Sequence, residues 1–211
     1  MVNKEAYLRL VEELQPKGVT LVAVSKFKTV ADIQALYDLG QRDFGENYVQ
    51  ELLEKESQLP KDIRWHFIGH LQTNKVKYIA PFVHLVHGVD SLKLLKEIDK
   101  QGLKLNKKVP VLLQIHIAQE ETKFGMDEQE LAESLTAAAG LDGVSVKGLM
   151  GMASFSDDQA LVRTEFKQLT QYYSSHKMEI LSMGMSGDYK TAVEEGSNLV
   201  RIGSLLFGKR D

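Results

Sequence analysis

The sequence predicts an α/β fold, a single closed (β/α)8 TIM barrel with an extra N-terminal helix, formed by residues 1–211 as one domain. Three observations point there. Short apolar or β-branched runs alternate with helical patterns from end to end, which implies a parallel sheet with helical crossovers. The runs number eight, the count that closes a barrel. No linker, low-complexity segment or shift in composition divides the 211 residues. An open doubly wound sheet is the alternative reading of the same alternation.

The first helix is read from Val2, Ala6, Leu10 and Leu14, with Tyr7 and Val11 alongside, and it ends at Pro16 and Gly18. The run from Val19 to Val24 suits a strand buried on both faces. Thr29 is a cap for a helix through Leu39, closed by Gly40. Asp43–Gly45 then reads as strand and Tyr48–Ser57 as helix, followed by strand Trp65–Ile68 and helix Thr73–Ile79. Strand Val83–Gly88 precedes a helix from Ser91 to Gln101, with Ser91 as cap. Val109–Ile117 is the longest strand and leads to helix Asp127–Ala139. The last pairs are Val144–Met150 with Gln159–Tyr173, and Glu179–Met183 with Tyr189–Glu195, before a final strand Asn198–Ile202.

Composition narrows the chemistry. With no cysteine there is no disulfide, thiolate nucleophile or thiolate metal site, so covalent chemistry falls to Lys, Ser, Thr, His, Tyr or a carboxylate. A net charge of −3, from 26 basic and 29 acidic side chains, argues against nucleic-acid binding. The charged N-terminal stretch is not a secretory signal, and no run approaches membrane-spanning length. A cytoplasmic location is expected. A monomer is expected too, because a closed barrel has no sheet edges.

In this fold the active face lies at the C-terminal strand ends. Those ends carry Ser25-Lys26, Gly45-Glu46-Asn47-Tyr48, His66 with Gly69-His70, Met150-Gly151, Ser186-Gly187-Asp188 and Arg201 with Gly203-Ser204. A lysine partly desolvated at the mouth becomes nucleophilic, which makes Lys26 the candidate, with Lys28 a close competitor. The last two loops offer Gly187 and Gly203 for close backbone approach to a phosphate, and Ser186 and Ser204 as hydroxyl donors. Other signals fail. Gly203–Arg210 nearly matches a phosphate loop but ends in Arg, with only Asp211 beyond it. No H-E-x-x-H, G-x-G-x-x-G or G-x-S-x-G occurs, so no metal site is expected and the pairs His66/His70 and His84/His87 read as core or solvent-facing. Glu120 and Glu121 read as a solvated loop rather than an acid/base pair. The residues alone leave open an aldolase-type lysine acting on a phosphosugar.

LVAVSK, DFGENYVQE, WHFIGHLQTNK, KFGM, KGLMGM, LSMGMSGD and RIGSLLFG occur in this order over almost the whole chain. In these blocks the sequence resembles the pyridoxal phosphate homeostasis protein family (YggS/PROSC-like), which is related to the barrel domain of alanine racemase. The resemblance implies a pyridoxal 5′-phosphate (PLP) protein with the cofactor held as a Schiff base on Lys26. It implies that Ser186, Gly187, Gly203 and Ser204 hold the phosphate, that Asn47 lies beside the ring and that Arg201 lies near the pyridine nitrogen. It leaves the placement of Met183 and His66 relative to the cofactor open. The implied role is a carrier and reservoir for intracellular PLP (vitamin B6) without robust turnover and with no catalytic residue, serving PLP-dependent apo-enzymes. The alternative is a PLP-dependent amino-acid racemase or lyase, with Tyr48, His66 or Tyr189 as proton donors.

Overall fold

A computed structural model describes residues 2–120 and 124–208. Eight parallel strands close on themselves in chain order. They are β1 (Thr20–Val24), β2 (Asp43–Glu46), β3 (Arg64–Phe67), β4 (Leu85–Val89), β5 (Val109–Ile115), β6 (Val144–Gly151), β7 (Ile180–Met185) and β8 (Leu199–Ile202). The first and last strands zip together over Thr20↔Leu199 to Ala23↔Ile202, so the open-sheet alternative is excluded.

Around the barrel run α1 (Lys4–Leu14), α2 (Val30–Tyr37), α3 (Val49–Gln58), α4 (Val76–Ile79), α5 (Leu92–Lys104), α6 (Glu128–Ala138), α7 (Gln159–Ser175), α8 (Tyr189–Glu194) and α9 (Ser204–Phe207). Their starts follow local chemistry. Thr29 and Asp32 form a reciprocal capping box on α2, and Asp127 and Glu130 form one on α6. Ser91 accepts from Leu94 N at the start of α5. The predicted helix over Thr73–Ile79 divides into a 3₁₀ turn, Thr73–Lys75, and α4. Helix α9, unforeseen in the sequence, buries Leu206 and Phe207 and receives Asn3 N on the Leu206 carbonyl, which ties it to the start of α1.

Alternation along the strands sorts side chains into two cores. Leu21 and Ala23, Phe44, Trp65 and Phe67, Leu181 and Met183, and Val200 and Ile202 face outward into the shell of helices. Val22, Leu85, Leu112, Met150 and Leu199 form a separate cluster inside the barrel. Polar side chains share the lumen on β2, β3, β4, β7 and β8: Asp43, Arg64, His66, His87, Ser182 and Arg201. Gly45 stands at an inward position where an added Cβ would sit 3.0 Å from Val22.

Candidate functional site

Lys26 follows β1 directly and is half-buried at the C-terminal face. The turn that carries it is held by β2, α3 and α9. Ser25 N donates to the Gly45 carbonyl at 3.0 Å, and Ser25 Oγ donates to Glu46 Oε1 at 2.6 Å. Lys55 Nζ, from α3, reaches the Ser25 carbonyl at 2.7 Å, Glu46 Oε1 at 2.7 Å and Glu51 Oε1 at 2.6 Å. Phe27 N donates to Glu51 Oε1, and Lys28 Nζ donates to the Phe207 carbonyl at 3.2 Å. Phe27 has φ +62°, a left-handed conformation that costs an L residue about 1 kcal/mol or more. The buried Lys55–Glu46–Glu51 cluster holds the backbone in it. Burial raises the Glu46 pKa, partly offset by the charge and hydrogen bond of Lys55.

Two neighbouring loops complete the mouth. Beyond β8, Gly203 N donates to Ser186 Oγ at 3.2 Å, so the loops after β7 and β8 are joined. Gly187 faces open space, and Gly203 lies against Val24, two residues before Lys26. On the other side of β1, Asn47 follows β2, and its buried Oδ1 has no hydrogen-bond partner. Asn47 also lines a groove with Tyr48, His70 and Gln72. Arg201 crosses the lumen, where it is 4 % exposed. It donates to the carbonyl and Oγ of Ser182 and to the Gly151 carbonyl. Burial lowers its pKa to about 10, against the opposing charge of Asp188, so it stays a cation near neutral pH. It is therefore an interior residue rather than a surface one.

The structure thus brings the end of β1, which leads into Lys26, together with Asn47 on one side and Ser186 and Gly203 on the other, while Gly187 and Ser204 continue those last two loops. It corrects several other readings. His66 is not at the mouth: it lies within β3, bonded to Asp43 at the opposite end of the barrel. Tyr189 lies against the helical shell, its hydroxyl donating to Glu13, with burial and that contact pushing its pKa up to about 12. Met183 faces the outer core. The histidines regroup as His66 with His84 and His87, while His70 joins Asp90 and stacks on Phe124. Glu120 is not simply solvated, because it accepts Phe155 N at 2.9 Å. Glu121, Lys123 of the KFGM block and the 209–211 end of the near phosphate loop lie outside the described residues.

Asp43, His66 and His84 bring possible ligand atoms within 4.8 Å of one another. Arg64 already binds both Asp43 oxygens there, and both His66 nitrogens are engaged. The guanidinium occupies the place where a cation's charge would be needed, so the cluster reads as an ion pair rather than a metal site.

Residues 4–211 match the family model described as alanine racemase, N-terminal domain. A pyridoxal phosphate homeostasis protein of Aquifex aeolicus is 40% identical, covering 90% of this chain and 86% of that protein. One from Synechocystis is 38% identical over the full length of both. This chain belongs to the pyridoxal phosphate homeostasis protein family. Within that family, PipY of Synechococcus elongatus, solved with PLP bound, superposes with a TM-score of 0.89 at 34% identity, covering 97% of this chain and 99% of that one. Alanine racemase from Bartonella henselae shares the fold alone, with a TM-score of 0.77 at 18% identity, and this chain covers 59% of it.

Sequence reasoning missed the Lys55–Glu46–Glu51 support of this family member. Its signal was present: Glu51 and Lys55 stand four apart on one helix, beside a glutamate at an outward strand position where an apolar residue is the rule.

Proposed function

We propose that this chain binds PLP, with Lys26 as covalent anchor, and serves PLP homeostasis as a carrier and reservoir rather than by substrate turnover. The observation that carries this is the position of Lys26. It sits on a braced turn between the joined Ser186–Gly203 loops and the orphaned Asn47 Oδ1.

The residues fit the cofactor. Gly187 leaves room for a phosphate, and Ser186, Ser204 and the loop amides supply donors. The partnerless Asn47 Oδ1 is a buried acceptor of the kind that a ligand satisfies. Bound PLP supplies an aldehyde that a lysine amine captures and a ring that withdraws electrons. The protein's own part is to hold these groups in place. Arg201 would face the pyridine nitrogen as a charged donor, so it does not protonate that nitrogen, and this limits the ring as an electron sink. Of the three proton-donor candidates, only Tyr48 is left at the mouth, exposed, with its ring centroid 5.2 Å from that of Phe27 at a tilt of 41°. Barrel closure pairs every strand on both sides, and we read the chain as a monomer.

Borohydride reduction of PLP-loaded protein, followed by peptide mapping, tests the anchor. A pyridoxyl group on Lys26, absent in Lys26→Ala, is expected. An adduct on Lys28, a sugar-phosphate adduct, or none would sink the assignment. The exposed Tyr48 favours the racemase or lyase reading as second choice. Production of D-isomers or α-keto acids from L-amino acids, above the rate with free PLP, would establish it.

A further inference from the structure

A line of polar side chains runs through the lumen from the N-terminal rim to Arg201. Arg64 Nε and Nη2 donate to Asp43 Oδ1 and Oδ2 at 2.7 and 2.5 Å. Asp43 Oδ1 lies 3.0 Å from His66 Nε2, and His66 Nδ1 lies 2.9 Å from His87 Nε2. His87 Nδ1 lies 3.1 Å from Ser182 Oγ, which Arg201 Nη1 approaches at 2.5 Å. The four central members come from β2, β3, β4 and β7, and His87 and Ser182 are 0% exposed.

With both imidazoles neutral, every proton on this line is determined by its two ends. Ionised Asp43 only accepts, so His66 Nε2 carries a hydrogen and donates to it. With His66 neutral, Nδ1 accepts and His87 Nε2 must donate. His87 Nδ1 then accepts, so the Ser182 hydroxyl donates to it. That leaves Ser182 Oγ as acceptor for Arg201, which can only donate. All bonds point one way, from guanidinium to carboxylate, and each polarises the next. An apolar lumen would fill the space at less desolvation cost. The polar line does something an apolar lumen would not: it gives the Arg201 guanidinium one rotamer and one direction, with its Nη2 on Gly151 at the end of β6.

We propose that Asp43, His66, His87 and Ser182 are positioning residues that hold Arg201 in its working orientation toward the cofactor, through this single-direction hydrogen-bond line. The inference rests on the PLP reading above.

The test uses the full chain, first freed of PLP with its histidines ¹⁵N-labelled, then titrated with PLP. Long-range ¹H–¹⁵N correlation should show the Nε2–H tautomer at both His66 and His87. Ser182→Ala should weaken PLP binding about tenfold, the cost expected on losing a bond to a charged group, and should shift the absorbance band of bound cofactor. Ser182→Thr keeps the hydroxyl and should stay within about twofold of wild type. Asp43→Asn, at the far end of the line, should shift the same band in the same direction without touching the site. A role in stability alone would lower the melting temperature and leave the band unmoved. If Ser182→Ala does not fold, Asp43→Asn and the wild-type tautomers decide the matter. An Nδ1–H tautomer at His87, or unchanged PLP binding in folded Ser182→Ala and Asp43→Asn, overturns the proposal. Failure of wild type to take up PLP removes the functional reading and the positioning role together, whereas uptake with indifferent variants removes the positioning role alone.

Discussion

Acid should destabilise this protein from just below neutral pH, and His87 should be a main cause. Its imidazole is wholly buried. Burial first, then the neighbouring His66, Arg201 and His84, hold its pKa well below 6.5. In the unfolded chain the same imidazole titrates near its ordinary value of about 6.5. Below that pH the unfolded state binds a proton that the native state refuses, so stability falls as pH falls. The limiting slope is about 1.4 kcal/mol per pH unit, so moving from pH 7 to pH 5 removes at most about 2 kcal/mol through this residue. That is a large share of a typical domain stability of about 5–15 kcal/mol. Urea unfolding of the PLP-free chain at pH 7, 6 and 5 measures it. His87→Gln keeps a donor and an acceptor but does not titrate, and it should flatten the slope by most of that amount. His84, whose pKa is also lowered by burial, contributes in the same direction in both proteins. Equal slopes in wild type and His87→Gln, or a flat wild type over this range, would refute the reasoning.

Lys55→Met should cost about 3–5 kcal/mol at pH 7, because it leaves the fully buried Glu46 carboxylate beside Glu51 without their shared cation. The loss should shrink at pH 5, where Glu46, its pKa already raised by burial, more readily takes a proton; a pH-independent loss in urea unfolding would contradict this. Gly69→Ala should weaken PLP binding although Gly69 is not a binding residue. The new Cβ would fall 2.3 Å from the Asn47 carbonyl and push that segment aside, at about 1–3 kcal/mol; a spectroscopic PLP titration matching wild type would show that Asn47 is not held as described. Thr29→Ala removes the α2 capping box and should cost about 1 kcal/mol of stability in a thermal melt while PLP uptake is unchanged.

Much of the architecture was legible because it depends on local pattern. The run ending in LVAVSK reads as a buried strand with a lysine at its end, and the Ser186-Gly187 and Gly203-Ser204 loops read as neighbours at the same barrel end, where Gly203 N meets Ser186 Oγ. His66 shows where that logic stops. It was read near the mouth because it stands in a short strand, but strand tilt and register place it against Asp43 and His87. Tyr189 was read toward the site, but the pitch of α8 turns it to Glu13.

By itself the sequence determined the alternation of strands and helices, the absence of thiol chemistry, the candidate lysine and the family blocks. These follow from residue type and short-range spacing. Only the tertiary structure decided which side chains meet across the barrel. Lys55 braces the turn that carries Lys26, and Arg201 is joined to Asp43 through two histidines and a serine. Those partners come from strands and helices that are distant in the chain. Their contacts depend on shear, register and burial, which no local window of sequence contains.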